Sequence, residues 1–282
     1  MVAFILSTFL REVMELYSGK QYNLSEIKCT LLCMGIWYAY KNITKTGSIK
    51  PYTGDCPPYY DLKGTPWFDK LTKQIPELKK RTLELLYGKK PDLPQFLGGL
   101  VKEGRWESKA FLAWNMTRKL SATQGKEIFE CVKDVPGIVS LFISILTPGT
   151  HVKAHNGDTD ATYRLHIPIL IPAGLPECGI KVAGISRPWA ENGILTFCDA
   201  NLHEVWNHSD KTRVILIIDV VRTEFQSKTR DICARVLSWI FLQKVMEQKI
   251  IEILPMIIKV PFAYMLLILV RPFFMLLQRR EK

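Results

Sequence analysis

The second half of this chain predicts an antiparallel sandwich or jelly roll, preceded by helices and followed by a basic, apolar helical tail. Three observations predict it. Val139–Leu146, Tyr163–Ile171, Gly179–Ile185, Ile194–Cys198 and Thr212–Val220 are short runs rich in valine and isoleucine. Glycine, proline, asparagine or aspartate separates them, with no long helical pattern between, which argues against a parallel α/β sheet. Finally, all 5 histidines fall between Ser144 and Arg213, and an open-mouthed jelly roll lined by inward-facing residues suits a site built from them.

The elements follow in order. Residues 1–60 form an N-terminal helical or apolar segment with two short apolar runs, Val2–Leu10 and Cys29–Tyr40, both too short to span a bilayer comfortably. Met1–Leu10 lacks a basic start and soon meets Arg11 and Glu12, so it makes a poor signal peptide. A loop rich in proline, glycine and tyrosine, Gly47–Tyr60, leads to Thr65-Pro66-Trp67-Phe68-Asp69. These residues open a helical stretch with Leu78, Leu85 and Leu86 on one stripe and Lys79, Lys80 and Arg81 elsewhere. Residues 61–222 are read as the β domain and 223–282 as the tail. That tail ends in Ile250–Leu277, then Gln278-Arg279-Arg280-Glu281-Lys282. Its apolar length approaches that of a spanning helix, although Lys259, Pro261, Arg271 and Pro272 interrupt it. A helix lying in the interface with its arginines on lipid phosphates fits as well, and a core or dimer helix is the plain alternative. The basic terminus favours membrane association through residues 250–282.

Composition narrows the partners. A hydrophobic share of 48% is enough for a real core, and a net charge of +11 with pI near 9.3 asks for an anionic partner. No motif with aromatic platforms supports nucleic acid, which leaves a membrane surface or an acidic substrate. The 7 cysteines are scattered, odd in number and without a CxxC pair. They predict neither a disulfide framework nor a structural zinc site, but small buried hydrophobes in a reducing compartment.

The chemistry concentrates around the histidines and two arginines. Imidazole is the commonest ligand for iron, zinc and copper. His151 and His155 lie at i and i+4, but Pro148-Gly149 before and Asn156-Gly157 after make a helix improbable. A loop presenting one histidine is the expectation there. Arg164 and His166 are two apart on a strand, so they share a face opposite aliphatic residues. Arg213 opens a strand that is apolar on both faces. A guanidinium buried there carries a heavy desolvation cost unless it is paired, ideally by a bidentate carboxylate. His203 starts a short apolar segment after the polar turn Asp199-Ala200-Asn201. Together these residues suggest a metal centre that also holds a carboxylate-bearing small molecule.

Several pieces are similar to the signature of the aspartyl/asparaginyl β-hydroxylase family of iron(II)- and 2-oxoglutarate-dependent oxygenases. They are Pro148-Gly149-Thr150, His155 followed by Gly157, Arg164-Leu165-His166, His203-Glu204-Val205-Trp206, and Arg213 before an aliphatic strand. The resemblance covers about residues 65–221, including Pro66-Trp67-Phe68 and the stretch Trp106–Trp114. It implies a mainly β catalytic core of the double-stranded β-helix, or cupin-like jelly-roll, kind. It further implies that His155 and His203 ligate Fe(II) and that Arg213, helped by Ser144, clamps the distal carboxylate of 2-oxoglutarate. Arg164 and His166 would contact the cosubstrate end nearer the metal. Gly157 stands where many such oxygenases carry a carboxylate ligand. Two-histidine ligation completed by water is implied, with Asp158 and Asp160 as nearby substitutes. His151 and His208 take no ligand role and are expected in loops, with a second-sphere or substrate contact open to them.

The reaction so implied consumes O₂ and converts 2-oxoglutarate to succinate and CO₂ while hydroxylating an unactivated carbon. The family name makes the β-carbon of Asp or Asn in a peptide or protein the leading expectation. The apolar, basic tail points instead to a lipid A hydroxylase-like branch acting on an acyl chain at the cytoplasmic face of a membrane, and without the tail's anchoring the protein would be cytoplasmic. A jelly-roll module that only binds is the third reading, set back by the retention of both histidines and the clamp arginine.

Overall fold

A computed structural model describes residues 52–88, 100–117, 125–246 and 255–280. The two N-terminal apolar runs expected within residues 1–60 lie outside the described residues. The described chain starts with a short strand, β1 (Tyr59–Tyr60), and two helices, α1 (Pro66–Lys73) and α2 (Ile75–Gly88). Pro66 suits the first turn of α1 because that turn's N–H groups have no partner within the helix. The Asp69 carboxylate accepts from the Gly64 N–H at 3.1 Å and fixes the entry.

The β domain follows as β2 (Val101–Glu103), β3 (Trp106–Ala113), β4 (Met116–Thr117), a helix α3 (Lys126–Val132), then β5 (Ile138–Leu146), β6 (Thr150–His155), β7 (Thr162–Leu170), β8 (Cys178–Val182), β9 (Ile185–Arg187), β10 (Leu195–Phe197), β11 (His203–Asn207) and β12 (Arg213–Val221). They form a seven-stranded sheet in the order β1-β10-β7-β12-β5-β3-β4 and a five-stranded sheet in the order β2-β6-β11-β8-β9. Every pairing is antiparallel. The jelly-roll expectation therefore holds.

Period-two alternation decides which residues face which layer. On β12, Val214, Leu216, Ile218 and Val220 join Leu165 and Ile167 of β7, Leu141 and Ile143 of β5, and the helical residues Leu71, Ile75, Leu78 and Ile128 in one core. Ile215 and Ile217 point the other way and meet Val152, Ile180, Val182 and Val205 of the second sheet. The molecule is thus helices on a sheet on a second sheet. The side chains between the two sheets include His155, His203, Arg164, His166, Arg213 and Ser144, whereas His151 and His208 lie outside.

Four local expectations are corrected. Thr150–His155, expected as a loop, is a strand between β2 and β11, so its backbone polar groups are taken up by ladder bonds on both sides. Gly179–Ile185 is not one strand but the start of a hairpin, because Ala183 (φ 48°) and Gly184 (φ 84°) form a two-residue left-handed turn. Trp106–Ala113, known only for its tryptophans, is a full strand beside β5. Within the tail, Met256–Arg280 is one continuous helix despite its prolines.

That helix, α5 (Met256–Arg280), contains Pro261 and Pro272 in its interior, each removing one backbone hydrogen bond. It packs on α4 (Thr229–Met246) through Phe262, Ala263, Leu266 and Leu267 against Trp239 and Leu242. The first turns of α4 seat Ile232, Cys233 and Val236 on Val139, Val221 and Phe225 at one end of the barrel. Arg271, expected to face lipid phosphates, pairs with a carboxylate of α4 while still partly exposed: its Nε donates to Asp231 Oδ1 at 3.0 Å, and Arg235 Nε donates to Asp231 Oδ2 at 2.9 Å. The carboxylate in the first turn of α4 offers it a fixed partner that a lipid headgroup cannot match within the fold.

Candidate metal centre and anion clamp

His155 ends β6 and His203 begins β11, and the two are direct partners across the ladder. A β-bulge puts them together. His151 pairs with Trp206 and Val152 with Val205, yet His155 pairs with His203, so β6 holds one residue more than β11 over this stretch. Alternation alone would keep His151 and His155 on one face. The extra residue turns His155 inward, and the imidazole centroids of His155 and His203 lie 4.2 Å apart.

Both rings are held the same way. His155 Nδ1 lies 2.8 Å from the Lys153 carbonyl and His203 Nδ1 lies 2.8 Å from the Asn201 carbonyl. A carbonyl only accepts, so each Nδ1 carries a proton, and in the neutral ring each Nε2 keeps its lone pair. That tautomer is the one a metal requires, and such backbone contacts orient ligand histidines. The Asp199 carboxylate stands 3.3 Å from His203 Nε2. A carboxylate this close to Nε2 calls for a positive charge there, which a proton or a divalent cation supplies.

Arg213 is the largest fully buried side chain among the described residues, 1% exposed. Its Nη1 donates weakly to the Ser144 carbonyl and hydroxyl at 3.3 and 3.4 Å, and its Nε has no hydrogen-bond partner. The Trp189 ring lies 5.2 Å from the guanidinium. Among the described residues no carboxylate pairs with it. Burial draws its pKa down to about 9. A buried guanidinium with an orphaned N–H is built for an anion the fold does not provide. Ser144 is itself fixed by Trp106, whose Nε1 donates to its hydroxyl at 2.9 Å.

Arg164 is arranged differently. Its Nε and Nη2 donate to the two oxygens of Asp219 at 2.7 and 2.9 Å, and its Nη1 donates to Asp199 Oδ1 at 2.5 Å. The fold supplies both of its anions, and any cosubstrate contact must share the guanidinium with them. His166 Nδ1 accepts from Trp189 Nε1 at 3.3 Å, which leaves the ring proton on Nε2 as a donor. Burial, then Arg164, Arg213 and His203, hold the His166 pKa well below the ordinary imidazole value, so the ring is neutral.

The expected residues therefore converge between the sheets: His155 with His203, Arg213 with Ser144, and Arg164 and His166 on β7. His151 does not join them. It faces outward on β6, its Nε2 3.0 Å from Glu204 Oε2, and His208 lies beside it with ring centroids 5.7 Å apart. Asp160, weighed as a metal ligand, accepts from the Tyr52 hydroxyl at 2.8 Å. Among the described residues no group of three or more His, Cys, Asp or Glu is arranged to hold a metal. Sequence reasoning passed over Asp199, Asp219, Trp106 and Trp189. The Asp219 signal was available, since an aspartate inside a strand of aliphatic residues needs a cation opposite it.

Comparison with known proteins fits this geometry. Over 172 residues the chain is 30% identical to the ornithine lipid ester-linked acyl 2-hydroxylase of Rhizobium tropici, covering 59% of this chain and 61% of that protein. Over 87 residues it is 39% identical to the aspartyl/asparaginyl beta-hydroxylase of Mus musculus, covering 31% of this chain and 12% of that protein. The chain thus matches less than two thirds of either relative's length. A solved oxidoreductase of the 2OG-Fe(II) oxygenase family from Burkholderia pseudomallei aligns with 60% of this chain and 98% of its own at 12% identity and a TM-score of 0.37, too slight a likeness to bear on function. The family model described as aspartyl/asparaginyl beta-hydroxylase matches residues 73–223. That span is more than half of the chain and holds both histidines, both arginines and the strands that carry them, so the chain belongs to the aspartyl/asparaginyl beta-hydroxylase family.

Proposed function

We propose that this protein is an Fe(II)- and 2-oxoglutarate-dependent hydroxylase, with residues 61–222 as its catalytic domain and 223–282 as a membrane-associating tail. The observation that carries the reading is a pair of imidazoles held through Nδ1 by backbone carbonyls, in the same inter-sheet layer as a buried arginine that lacks an internal anion. In this reading His155 and His203 hold Fe(II), which with O₂ and 2-oxoglutarate supplies the oxidising chemistry. Arg213 and the Ser144 hydroxyl bind the distal carboxylate of 2-oxoglutarate. His166 offers its Nε2 proton toward the other end, and Arg164 orients the site through Asp199. Trp189 and Phe197 wall the pocket side of His166 and exclude water. The two histidines and the iron carry a net 2+ charge, which the cosubstrate dianion balances without a protein carboxylate.

For the substrate, an acyl chain is favoured over the β-carbon of Asp or Asn. The lipid-modifying relative aligns over 172 residues against 87 for the peptide-modifying one, and the tail presents apolar surface. Pro261–Gln278 is long and apolar enough to cross a membrane. Ile257, Ile258, Met265, Ile268, Leu269, Phe273 and Leu276 of α5 are exposed, with Ile268 and Leu269 at 65% and 63%. Such a stripe has an apolar destination outside the fold. The peptide reading stays as the second, on the 39% identity of the mouse relative.

The test is incubation with Fe(II), 2-oxoglutarate and oxygen, together with extracted ester- and amide-linked lipids in one series and Asp- or Asn-containing peptides in another. A gain of one oxygen on the lipids, lost in His155→Ala and His203→Ala, is the expected result. Oxygen gained only on peptides moves the protein to the second reading. Full activity in either histidine variant removes the ligand assignment.

A further inference from the structure

Outside the site just described, one cluster joins two cysteines to a guanidinium. Cys56 sits in the segment before β1, and Cys198 follows the last residue of β10. These two strands pair, Tyr59 with Phe197 and Tyr60 with Thr196, and the Cys198 N–H donates to the Pro58 carbonyl at 3.1 Å. The pairing sets Cys198 beside Pro58, two residues after Cys56, and the Cys56 thiol points to the Asp160 carbonyl at 3.9 Å. Arg222, just after β12, donates from Nη1 to Cys56 Sγ at 2.7 Å and to the Asp160 carbonyl at 2.9 Å. The Tyr52 hydroxyl accepts from the Cys56 N–H at 3.3 Å and holds the segment in place. Cys198 is fully buried, whereas Cys56 is only half-buried. An attacking sulfur within reach of solvent therefore stands next to a protected one.

We propose that Cys56 and Cys198 form a reversible redox pair, in which a hydroperoxide oxidises Cys56 and Cys198 closes the disulfide. The Cys56 sulfur attacks one peroxide oxygen, the O–O bond breaks, and the leaving hydroxide takes a proton to become water. Cys56 is then a sulfenic acid. The Cys198 sulfur attacks it, the S–O bond breaks, and water leaves with the Cys198 proton. Two thiols and one hydrogen peroxide give one disulfide and two waters, and a dithiol reductant reverses the change by exchange.

The chemistry of the two sulfurs supports this division of roles. The hydrogen bond from Cys198, then those from Tyr52 and Tyr60 and the charge of Arg222, bring the Cys56 pKa down to about 5 against the opposing effect of burial. The same bond and burial push Cys198 far up. A thiolate beside a cation is the reactive form, and a neutral buried thiol is the inert one. Cys131 is a control within the same chain: it is partly buried, and burial raises its pKa. The bridge would tie the segment before β1 to the residue preceding Asp199, whose carboxylate engages Arg164.

The experiment uses the full chain, reduced and then exposed to stoichiometric hydrogen peroxide at pH 7. Alkylation and peptide mass mapping follow, with and without a final dithiol. The expected result is a Cys56–Cys198 bridged peptide lighter by two hydrogens, restored by the dithiol. Before oxidation, Cys56 should alkylate at least about tenfold faster than Cys131. Cys198→Ser should stop Cys56 at the sulfenic acid, captured by dimedone, and Cys56→Ser should leave Cys198 reduced. The proposal is overturned if both thiols stay alkylatable after peroxide. It is equally overturned if Cys56 bridges to any other cysteine, or if Cys198 is oxidised in the Cys56→Ser protein.

Discussion

Gly157 and Asp199 share one space. A methyl group on Gly157 would lie 1.6 Å from Asp199 Oδ2 and 2.0 Å from its Cγ, and the Gly157 N–H already donates to the Asp199 carbonyl at 2.7 Å. The position two residues after His155, where a third metal ligand would start, is thus filled from across the barrel. Gly157→Ala should cost about 1–3 kcal/mol by overpacking and weaken Fe(II) binding by pushing Asp199 off Arg164. Gly157→Asp should weaken it too rather than supply a ligand. Thermal unfolding and Fe(II) titration under anaerobic conditions check both; tighter binding in Gly157→Asp would contradict the shared-space account.

Arg213 should behave oppositely in stability and in binding. Removing a buried, anion-less charge relieves desolvation, so Arg213→Met should leave the ligand-less protein as stable as before or about 1 kcal/mol more so. The same variant should lose the thermal shift that 2-oxoglutarate produces, about 2.7 kcal/mol at a hundredfold excess over Kd. Scanning calorimetry with and without the dicarboxylate separates the two effects.

Asp219 is the counterpart case. It is fully buried and engages two nitrogens of Arg164. Asp219→Ala should destabilise by about 3–5 kcal/mol because a largely buried guanidinium loses its principal anion. A urea midpoint close to that of the unaltered protein would show that Asp199 alone suffices.

The neutral His166 predicts a pH dependence of definite sign. Its folded pKa is well below the unfolded value, so the unfolded chain binds the proton more readily. Its stabilising contribution is complete above about pH 6.5 and falls as the pH drops below that, by at most about 1.4 kcal/mol per pH unit. His166→Gln should flatten this limb. Urea midpoints between pH 7 and pH 5 for both proteins measure the difference.

For the tail, Ile268→Glu combined with Leu269→Glu should weaken flotation with anionic phospholipid vesicles by about tenfold or more. Thermal unfolding should be unchanged, since both side chains already face outward. Equal flotation of the doubly substituted protein would move the contact elsewhere on the chain.

The strands of the large sheet were legible because β5, β7 and β12 are buried on both faces and read as aliphatic runs. The same alternation made Arg164 and His166 legible as a pair. The polar strands β6 and β11 were harder, since a strand spelled Thr-His-Val-Lys-Ala-His carries loop-like composition and earns its place only by its neighbours. Asp199 was illegible for another reason. It lies in a turn, and its partner Arg164 is 35 residues away in sequence. No local pattern records a contact that only the pairing of β10 with β7 creates.

The extra residue in β6 has a consequence for how such a barrel changes over time. It works as a phase shift, letting a single strand send His151 to the surface and His155 to the interior. Deleting Ala154 would remove the bulge and leave His155 two residues after the inward-facing Val152, still opposite His203. What the pair does not tolerate is a flat strand of the present length, in which His155 would join His151 on the outer face. The spacing of the two β6 histidines and the bulge between them therefore have to change together.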